Sequence, residues 1–124
     1  MWLSMASAAR TSDWQSTWLG RFATGDALTT ISGGLYADHQ NGLVTRGTPK
    51  DSPTVASWEP QDRPTTVTIT DCGDSTNWLK YRADTGQPAN DGPGGRRAIS
   101  AVVKKQASGA WLVADFAVQA VGTC

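Results

Sequence analysis

The chain has 124 residues, a length that suits one domain with its own hydrophobic core. Its 11 basic and 11 acidic residues cancel, and neither sign forms a run, so the basic patch of a nucleic-acid-binding protein is missing. No stretch approaches the roughly 18 apolar residues of a membrane-spanning helix. We therefore expect a single domain over residues 1–124, with no nucleic acid among its partners.

The first ten residues favour an amphipathic helix. Their apolar side chains fall on one helical face, at i, i+3, i+4 and i+7: Trp2, Met5, Ala6 and Ala9. The segment ends in Ala-Ser-Ala-Ala, which imitates a signal-peptide cleavage site, but it lacks a charged start and its apolar part is too short. We expect any export signal or lipid anchor to lie upstream, and membrane attachment to occur only through such a segment.

A second, short helix is predicted after a break at residues 11–13. Ser12 and Gln15 have the spacing of a capping box, which marks a helix start. The helix would carry an aromatic stripe at i, i+4 and i+8, which we interpret as part of the core: Trp14, Trp18 and Phe22.

A third helix is predicted from Thr24, a suitable N-cap residue, to the left-handed end that Gly42 would supply. Leu43 can then fold back on the last turn. The apolar positions repeat at helical spacing: Leu28, Ile31 and Leu35. Gly33 and Gly34 lie inside this helix, where each costs about 1 kcal/mol relative to alanine, so the pair indicates close approach of another backbone.

From Pro49 onward the apolar pattern changes to period two, which predicts strands over residues 55–58, 65–72, 77–83, 98–106 and 110–124. The last of these is the longest apolar run in the chain. We expect it to be the central strand, because its two faces are both largely apolar. Helices followed by antiparallel strands define an α+β domain with the helices on one face of a curved sheet.

Cys72 and Cys124 are the two cysteines of the chain, and each ends a predicted strand. With a single histidine, they cannot build a four-ligand zinc site, so no metal is expected. The alternatives are a disulfide and two buried thiols. We favour the disulfide, because a thiol at a chain terminus gains little from burial. Disulfides persist in oxidising compartments, which favours a location outside the cytoplasm.

Several segments of the chain resemble one group of proteins: FATGDAL, GLVTRG, TITDCGDSTNWLKYRADTG, PGGRR and the closing VGTC. The group consists of small exported proteins of actinobacteria, often lipoproteins or membrane-tethered, within the NTF2-like superfamily. The resemblance covers about residues 2–124. It implies an NTF2-like (cystatin-like) cone, with helices packed in the concave side of a bent antiparallel sheet. It also implies a Cys72–Cys124 pair and a protein that is secreted or anchored on the outer face of the cytoplasmic membrane.

Candidate catalytic residues are few. Asp115 is a carboxylate within an apolar strand, where it could serve as a general base. The alternative is that it pairs with Lys104 or lies on the outer, solvent-exposed face of the sheet. Asp38 and His39 lie together near the end of the third helix, and the alternative for His39 is simple exposure. No nucleophile–base or phosphate-loop motif accompanies them, and we expect no cofactor.

Aromatic side chains provide a second kind of candidate site. Four of them could line a pocket for a small apolar ligand, or could simply fill the core: Trp14, Trp18, Tyr36 and Trp111. Three functions are therefore considered. The first is a non-catalytic extracytoplasmic domain that binds or scaffolds a protein partner, the second a small-ligand-binding protein, and the third an isomerase- or cyclase-type enzyme with a pocket carboxylate. The enzyme ranks last, because fold alone does not supply an acid–base pair.

Overall fold

The computed structural model describes residues 1–124. It contains helices α1 (Trp2–Ala9) and α2 (Gly25–Gln40) and six strands: β1 (Leu43–Gly47), β2 (Thr54–Glu59), β3 (Thr66–Asp74), β4 (Trp78–Arg82), β5 (Arg96–Lys105) and β6 (Trp111–Val118). One antiparallel sheet has the order β2-β3-β5-β6, and β1 pairs with β4 in a separate two-stranded ribbon. The predicted α+β class is confirmed. Neither helix is long and apolar enough to cross a membrane.

The first and third predicted helices are confirmed as α1 and α2, and Thr24 is the N-cap of α2. The second predicted helix is wrong, since only a short 3₁₀ turn, Leu19–Arg21, forms there. Ser12 does not cap a helix. It is buried in the left-handed backbone region, at φ 50°, and its hydroxyl donates to the carbonyl of Leu43. The Ser12 side chain therefore anchors the segment that follows α1 to β1.

The aromatic stripe predicted for the core is largely exposed. Without a helix to align them, Trp18 and Phe22 remain 56% and 43% exposed, whereas Leu19 of the 3₁₀ turn is buried. Trp14 is only partly buried and packs against the edge of the core. The helical spacing of these aromatic residues therefore did not predict whether they are buried.

Four of the predicted strands are confirmed as β2 to β5, with ends that differ by no more than two residues. Strand β1 was missed. Leu43 directly follows the helix end at Gly42, and the sequence predicts that its apolar side chain contacts the last helical turn. It begins a strand instead, in which Val44 lies opposite Tyr81 of β4.

The prediction that the C-terminal strand is central is wrong. Strand β6 lies at one border of the four-stranded sheet, and β3 and β5 are the interior strands. The outward backbone edge of β6 is nevertheless covered. The N–H of Thr24 donates to the carbonyl of Val113 at 2.9 Å, and the N–H of Val113 donates to Phe22 at 2.9 Å. This cover pairs the edge of the strand at Val113, where free backbone groups would otherwise invite pairing with another chain.

The hydrophobic core lies between the helices and the β6 side of the molecule. Its buried members are mostly small or aliphatic: Ala8, Ala9, Leu19, Ala23, Ala27, Ile31 and Leu35. Trp78 of β4 and Phe116 of β6 pack against this cluster. At the other border of the sheet, Val55 and Trp58 of β2 are 56% and 43% exposed. The helices thus cover one end of the sheet and leave β2 open.

The predicted disulfide is confirmed: Cys72 of β3 is bonded to Cys124, with their Cα atoms 5.8 Å apart. The tail of residues 119–124 turns back along the start of β5, where the N–H of Gln119 donates to the carbonyl of Ala98 at 2.9 Å. The disulfide therefore holds the end of the chain against two interior strands of the sheet.

Candidate functional site

A cavity of about 460 Å³ lies between the two helices, the β1–β4 ribbon and the adjoining end of the larger sheet. Most of its wall is apolar, and its large side chains come from five different elements: Trp2, Met5, Leu35, Trp78, Ile99 and Phe116. The exposed loop of residues 91–93 also borders it. Its volume falls within the range of roughly 300 to 1,000 Å³ that is typical of small-molecule sites.

One wall of the cavity is the apolar face of α1. Trp2, Met5 and Ala9 all border it, as their spacing of i, i+3 and i+7 on one helical face allows. The ring of Trp2 meets that of Phe116 edge-on, with centroids 5.2 Å apart and planes at 80°. This pair joins α1 to β6 and fixes the orientation of two aromatic rings in the wall.

Gly34 of α2 also borders the cavity. A Cβ atom added at this position would meet no atom within 4 Å, and the same holds for its neighbour Gly33. The predicted close approach of another backbone to these glycines is therefore wrong. Gly34 borders the cavity, whereas Gly33 borders a shallow groove on another side of the helix, beside Trp14 and Tyr36.

An ion pair lies in the cavity wall. The Lys80 Nζ of β4 donates to the Asp38 Oδ1 of α2 at 2.9 Å, and Asp38 is only 9% exposed. The carboxylate of Asp38 is thus engaged in joining the helix to the ribbon. His39, the next residue, is exposed and does not border the cavity. The structure therefore does not bring Asp38 and His39 together as an acid–base pair.

A second carboxylate, that of Asp51, borders the cavity from the segment before β2. Gly73 of β3 makes room for it, since a Cβ there would lie 3.2 Å from the Asp51 Oδ1 and 2.6 Å from the Ile99 Cδ1. Burial, and next the charge of Asp71 and a hydrogen bond with its side chain, raise the pKa of Asp51 from 3.8 to about 6. The carboxylate of Asp71 accepts a hydrogen bond from the Ser52 N–H at 2.7 Å, which holds this segment in place.

Two further charged groups at the cavity, Asp74 and Arg97, have hydrogen-bond partners within the protein. The hydroxyl and N–H of Thr76 donate to Asp74 at 2.6 and 2.9 Å, and these bonds lower the pKa of Asp74. The guanidinium of Arg97 donates to the carbonyl of Gln119 at 3.3 Å. Asp51 forms no ion pair, and its side chain is hydrogen-bonded to that of Asp71, another carboxyl group.

The four aromatic residues predicted to line a pocket do not border this cavity. Trp14 and Tyr36 meet edge-on, 5.1 Å apart, in the shallow groove on α2. Trp18 packs under the guanidinium of Arg21, 4.4 Å from its ring centre, and Trp111 is 41% exposed at the start of β6. The cavity uses other tryptophans, namely Trp2 and Trp78.

Asp115 lacks the apolar setting that a general base would require. It is exposed on β6, opposite Val102 of β5, and forms no ion pair with Lys104. The outward face of this border strand is open to water, which explains the difference from the expected buried carboxylate.

Sequence reasoning missed Trp78 and Asp51, and identified Trp2 only as part of a helical face. The stripe on α1 was the available signal for its wall of the cavity. No comparable signal existed for Asp51, because its position depends on Gly73, 22 residues further along the chain.

These features define an α+β domain with a cavity of ligand size between its helices and its two sheets. No protein-family model and no curated protein sequence matches the chain. Among solved structures, it is similar to the crystal structure of the intermembrane space region of the chloroplast protein ARC6, with a TM-score of 0.65 and 20% sequence identity. The match covers 96% of this chain and 88% of that one. At this identity, the likeness shows a shared fold.

Proposed function

We propose that this protein is a non-catalytic binding domain that takes a small apolar ligand in the cavity between its helices and sheets. The observation that carries the proposal is the cavity of about 460 Å³ with its wall of large apolar side chains. Its aromatic residues are supplied by different elements, and Trp2 is fixed by Phe116. The Asp38–Lys80 pair and the exposure of His39 favour binding over acid–base chemistry.

The same proposal places the domain outside the cytoplasm, either secreted or held by an anchor segment. The support for this is the Cys72–Cys124 disulfide, a bond that reducing compartments disfavour. The finer description of the fold as an NTF2-like cone also belongs to the proposal. It is supported by the arrangement of two helices against antiparallel strands with a cavity between them.

Two adjacent glycines provide a matched test of the cavity. Gly34→Leu adds a side chain beside the cavity, and Gly33→Leu adds the same side chain one position away, beside the outer groove. Both positions have open space for the new Cβ, so both variants should fold. The probe is N-phenyl-1-naphthylamine, an uncharged dye whose fluorescence rises in apolar surroundings.

We expect the wild type and Gly33→Leu to bind this dye alike, and Gly34→Leu to bind it at least about tenfold more weakly, as loss of 1.4 kcal/mol of contact would produce. Equal binding by all three chains would refute the cavity as the site. Circular dichroism and urea unfolding establish that the two variants are folded.

A protein-binding or scaffolding role is the second candidate, favoured by the exposed Val55 and Trp58 on the free border strand β2. An extended segment of a protein partner could pair with this edge. Complementation of a deletion strain separates the two roles. Ligand binding predicts that Trp58→Lys restores function and Gly34→Leu does not, and scaffolding through β2 predicts the reverse.

A further inference from the structure

Asp51 is a carboxylate at the cavity that forms no ion pair with a cationic group, and its side chain is hydrogen-bonded to the carboxyl group of Asp71. The chain contains one ion pair, between Asp38 and Lys80, and it leaves Asp51 unpaired. The ionised form of Asp51 is opposed by burial and by the neighbouring Asp71, which together raise the pKa of Asp51 to about 6. An ionised Asp51 at neutral pH is therefore in an unfavourable environment that a positive charge would relieve.

The cationic side chains that border the cavity are engaged with other groups and do not pair with Asp51. Lys80 is held by Asp38, and Arg97 donates to the carbonyl of Gln119. Asp74 on β3 borders the cavity as a further carboxylate, and Asp91 on the exposed loop is another. The amino group of Met1, at the start of α1, lowers the pKa of Asp51, in opposition to the larger effects of burial and Asp71.

We propose that the ligand of this cavity is an amphipathic amine, with an apolar body against the aromatic wall and one ammonium group paired with Asp51. This inference rests on the proposed function and adds the class of ligand. A cation gains from the carboxylate and also from the faces of Trp2 and Trp78, if it lies over their rings. A ligand carboxylate would instead add a further negative charge beside Asp51, Asp71 and Asp74, and is disfavoured.

Three probes of the same length isolate the charge: 4-phenylbutylamine, 4-phenylbutanol and 4-phenylbutyrate. Isothermal titration calorimetry at pH 8 would compare them on the wild type, on Asp51→Asn and on the matched control Asp115→Asn. Asp115 is exposed and does not border the cavity. The amine keeps its charge across the experiment, because an alkylamine has a pKa of about 10.

We expect the wild type and Asp115→Asn to bind the amine about tenfold more tightly than the alcohol, and the butyrate more weakly than either. In Asp51→Asn, the affinities for amine and alcohol should fall within about threefold of each other. At pH 5, below the pKa of about 6, Asp51 is mostly protonated, and the wild type should lose most of the same preference. The amino group of Met1 also titrates. The pH comparison therefore uses wild-type protein that is acetylated at this group. The same comparison provides the test of the proposal if Asp51→Asn does not fold.

The outcomes separate this inference from the proposed function. Equal binding of amine and alcohol to the wild type, or a preference that survives in Asp51→Asn, overturns the amine and leaves the apolar cavity intact. Absence of binding by all three probes overturns both. A capped peptide, acetyl-Ala-Phe-Lys-Ala-amide, presents the same ammonium from a polypeptide. Tighter binding of the peptide than of the free amine assigns the source of the cation to a protein, and the converse assigns it to a small molecule.

Discussion

Asp38 of α2 and Lys80 of β4 form an ion pair with 2.9 Å between Oδ1 and Nζ, 42 residues apart in the sequence. The two side chains are 13% and 38% exposed, so the carboxylate is largely removed from water while the ammonium remains partly hydrated. The pair joins the longest helix to the two-stranded ribbon at the wall of the cavity. It is thus a structural contact at the place where sequence reasoning had put a catalytic candidate.

Replacing Lys80 by methionine should destabilise the fold. The exchange keeps the aliphatic stem and leaves the carboxylate of Asp38 without its partner. We expect the free energy of unfolding to fall by about 1 to 2 kcal/mol, less than for a fully buried pair because Lys80 is partly exposed. Urea unfolding measures the change. Lys104→Met is the control, since Lys104 is exposed and unpaired, and an equal loss there would contradict the structural role of the pair.

Opening the Cys72–Cys124 disulfide should cost the domain a large part of its stability. The bond spans 52 residues, for which the chain-entropy estimate is about 4 kcal/mol. Cys72→Ser with Cys124→Ser should therefore lower the urea midpoint strongly, and a reducing agent should do the same to the wild type but not to the double variant. A loss below about 1 kcal/mol would show that the tail is held by its hydrogen bonds instead.

Two glycines should respond to alanine with opposite signs. Gly47 ends β1 at φ +95°, and a Cβ there would clash with the backbone carbonyl of Asn77. Gly47→Ala should therefore destabilise the fold by about 2 kcal/mol or more. Gly34→Ala places a methyl group in open space within α2 and should stabilise it by up to about 1 kcal/mol. Thermal unfolding of both variants checks the signs, and a stable Gly47→Ala would contradict the close contact of β1 with residue 77.

Asp51 should make the stability depend on pH in a defined direction. Between its ordinary pKa of 3.8 and its folded pKa of about 6, the folded protein holds a proton that the unfolded chain has released. The free energy of unfolding should therefore fall as the pH rises through this interval. We expect the wild type to lose about 1 kcal/mol of its free energy of unfolding relative to Asp51→Asn. This figure is reduced because Asp51 is partly exposed.

Urea unfolding from pH 4 to pH 7 tests this expectation. As the pH rises, the free energy of unfolding of the wild type should fall relative to that of Asp51→Asn. The free energy of unfolding of Asp115→Asn should follow that of the wild type throughout. Parallel curves for the wild type and Asp51→Asn would contradict the burial of Asp51 beside Asp71.

The features of this fold that could be predicted are those that depend on residues close together in the sequence. The spacing of Trp2, Met5 and Ala9, the capping residue Thr24 and the alternation in β2 to β5 each depend on neighbours within a few residues, and each corresponds to an observed element. The disulfide followed from the position of Cys124 at the chain end. These features are encoded over short distances, so one sequence suffices to recognise them.

The parts that failed depend on contacts distant in sequence. Strand β6 is apolar enough to be central, yet it lies at the border, where the segment around Ala23 pairs with it at Val113. The cavity residue Asp51 depends on the absence of a side chain at Gly73. Aromatic spacing selected Trp14 and Trp18, whereas the fold uses Trp2 and Trp78, because periodicity within one segment does not reveal which segments meet.

The central claim is that the cavity beside Trp2 and Trp78 is the binding site, and the six tryptophans of the chain can test it directly. Their indole N–H signals, assigned with Trp→Phe variants, can be followed by ¹⁵N NMR during titration with 4-phenylbutanol. We expect the signals of Trp2 and Trp78 to shift to saturation while those of Trp18, Trp58 and Trp111 remain in place. Shifts confined to the exposed tryptophans, with Trp2 and Trp78 unchanged, would contradict the account.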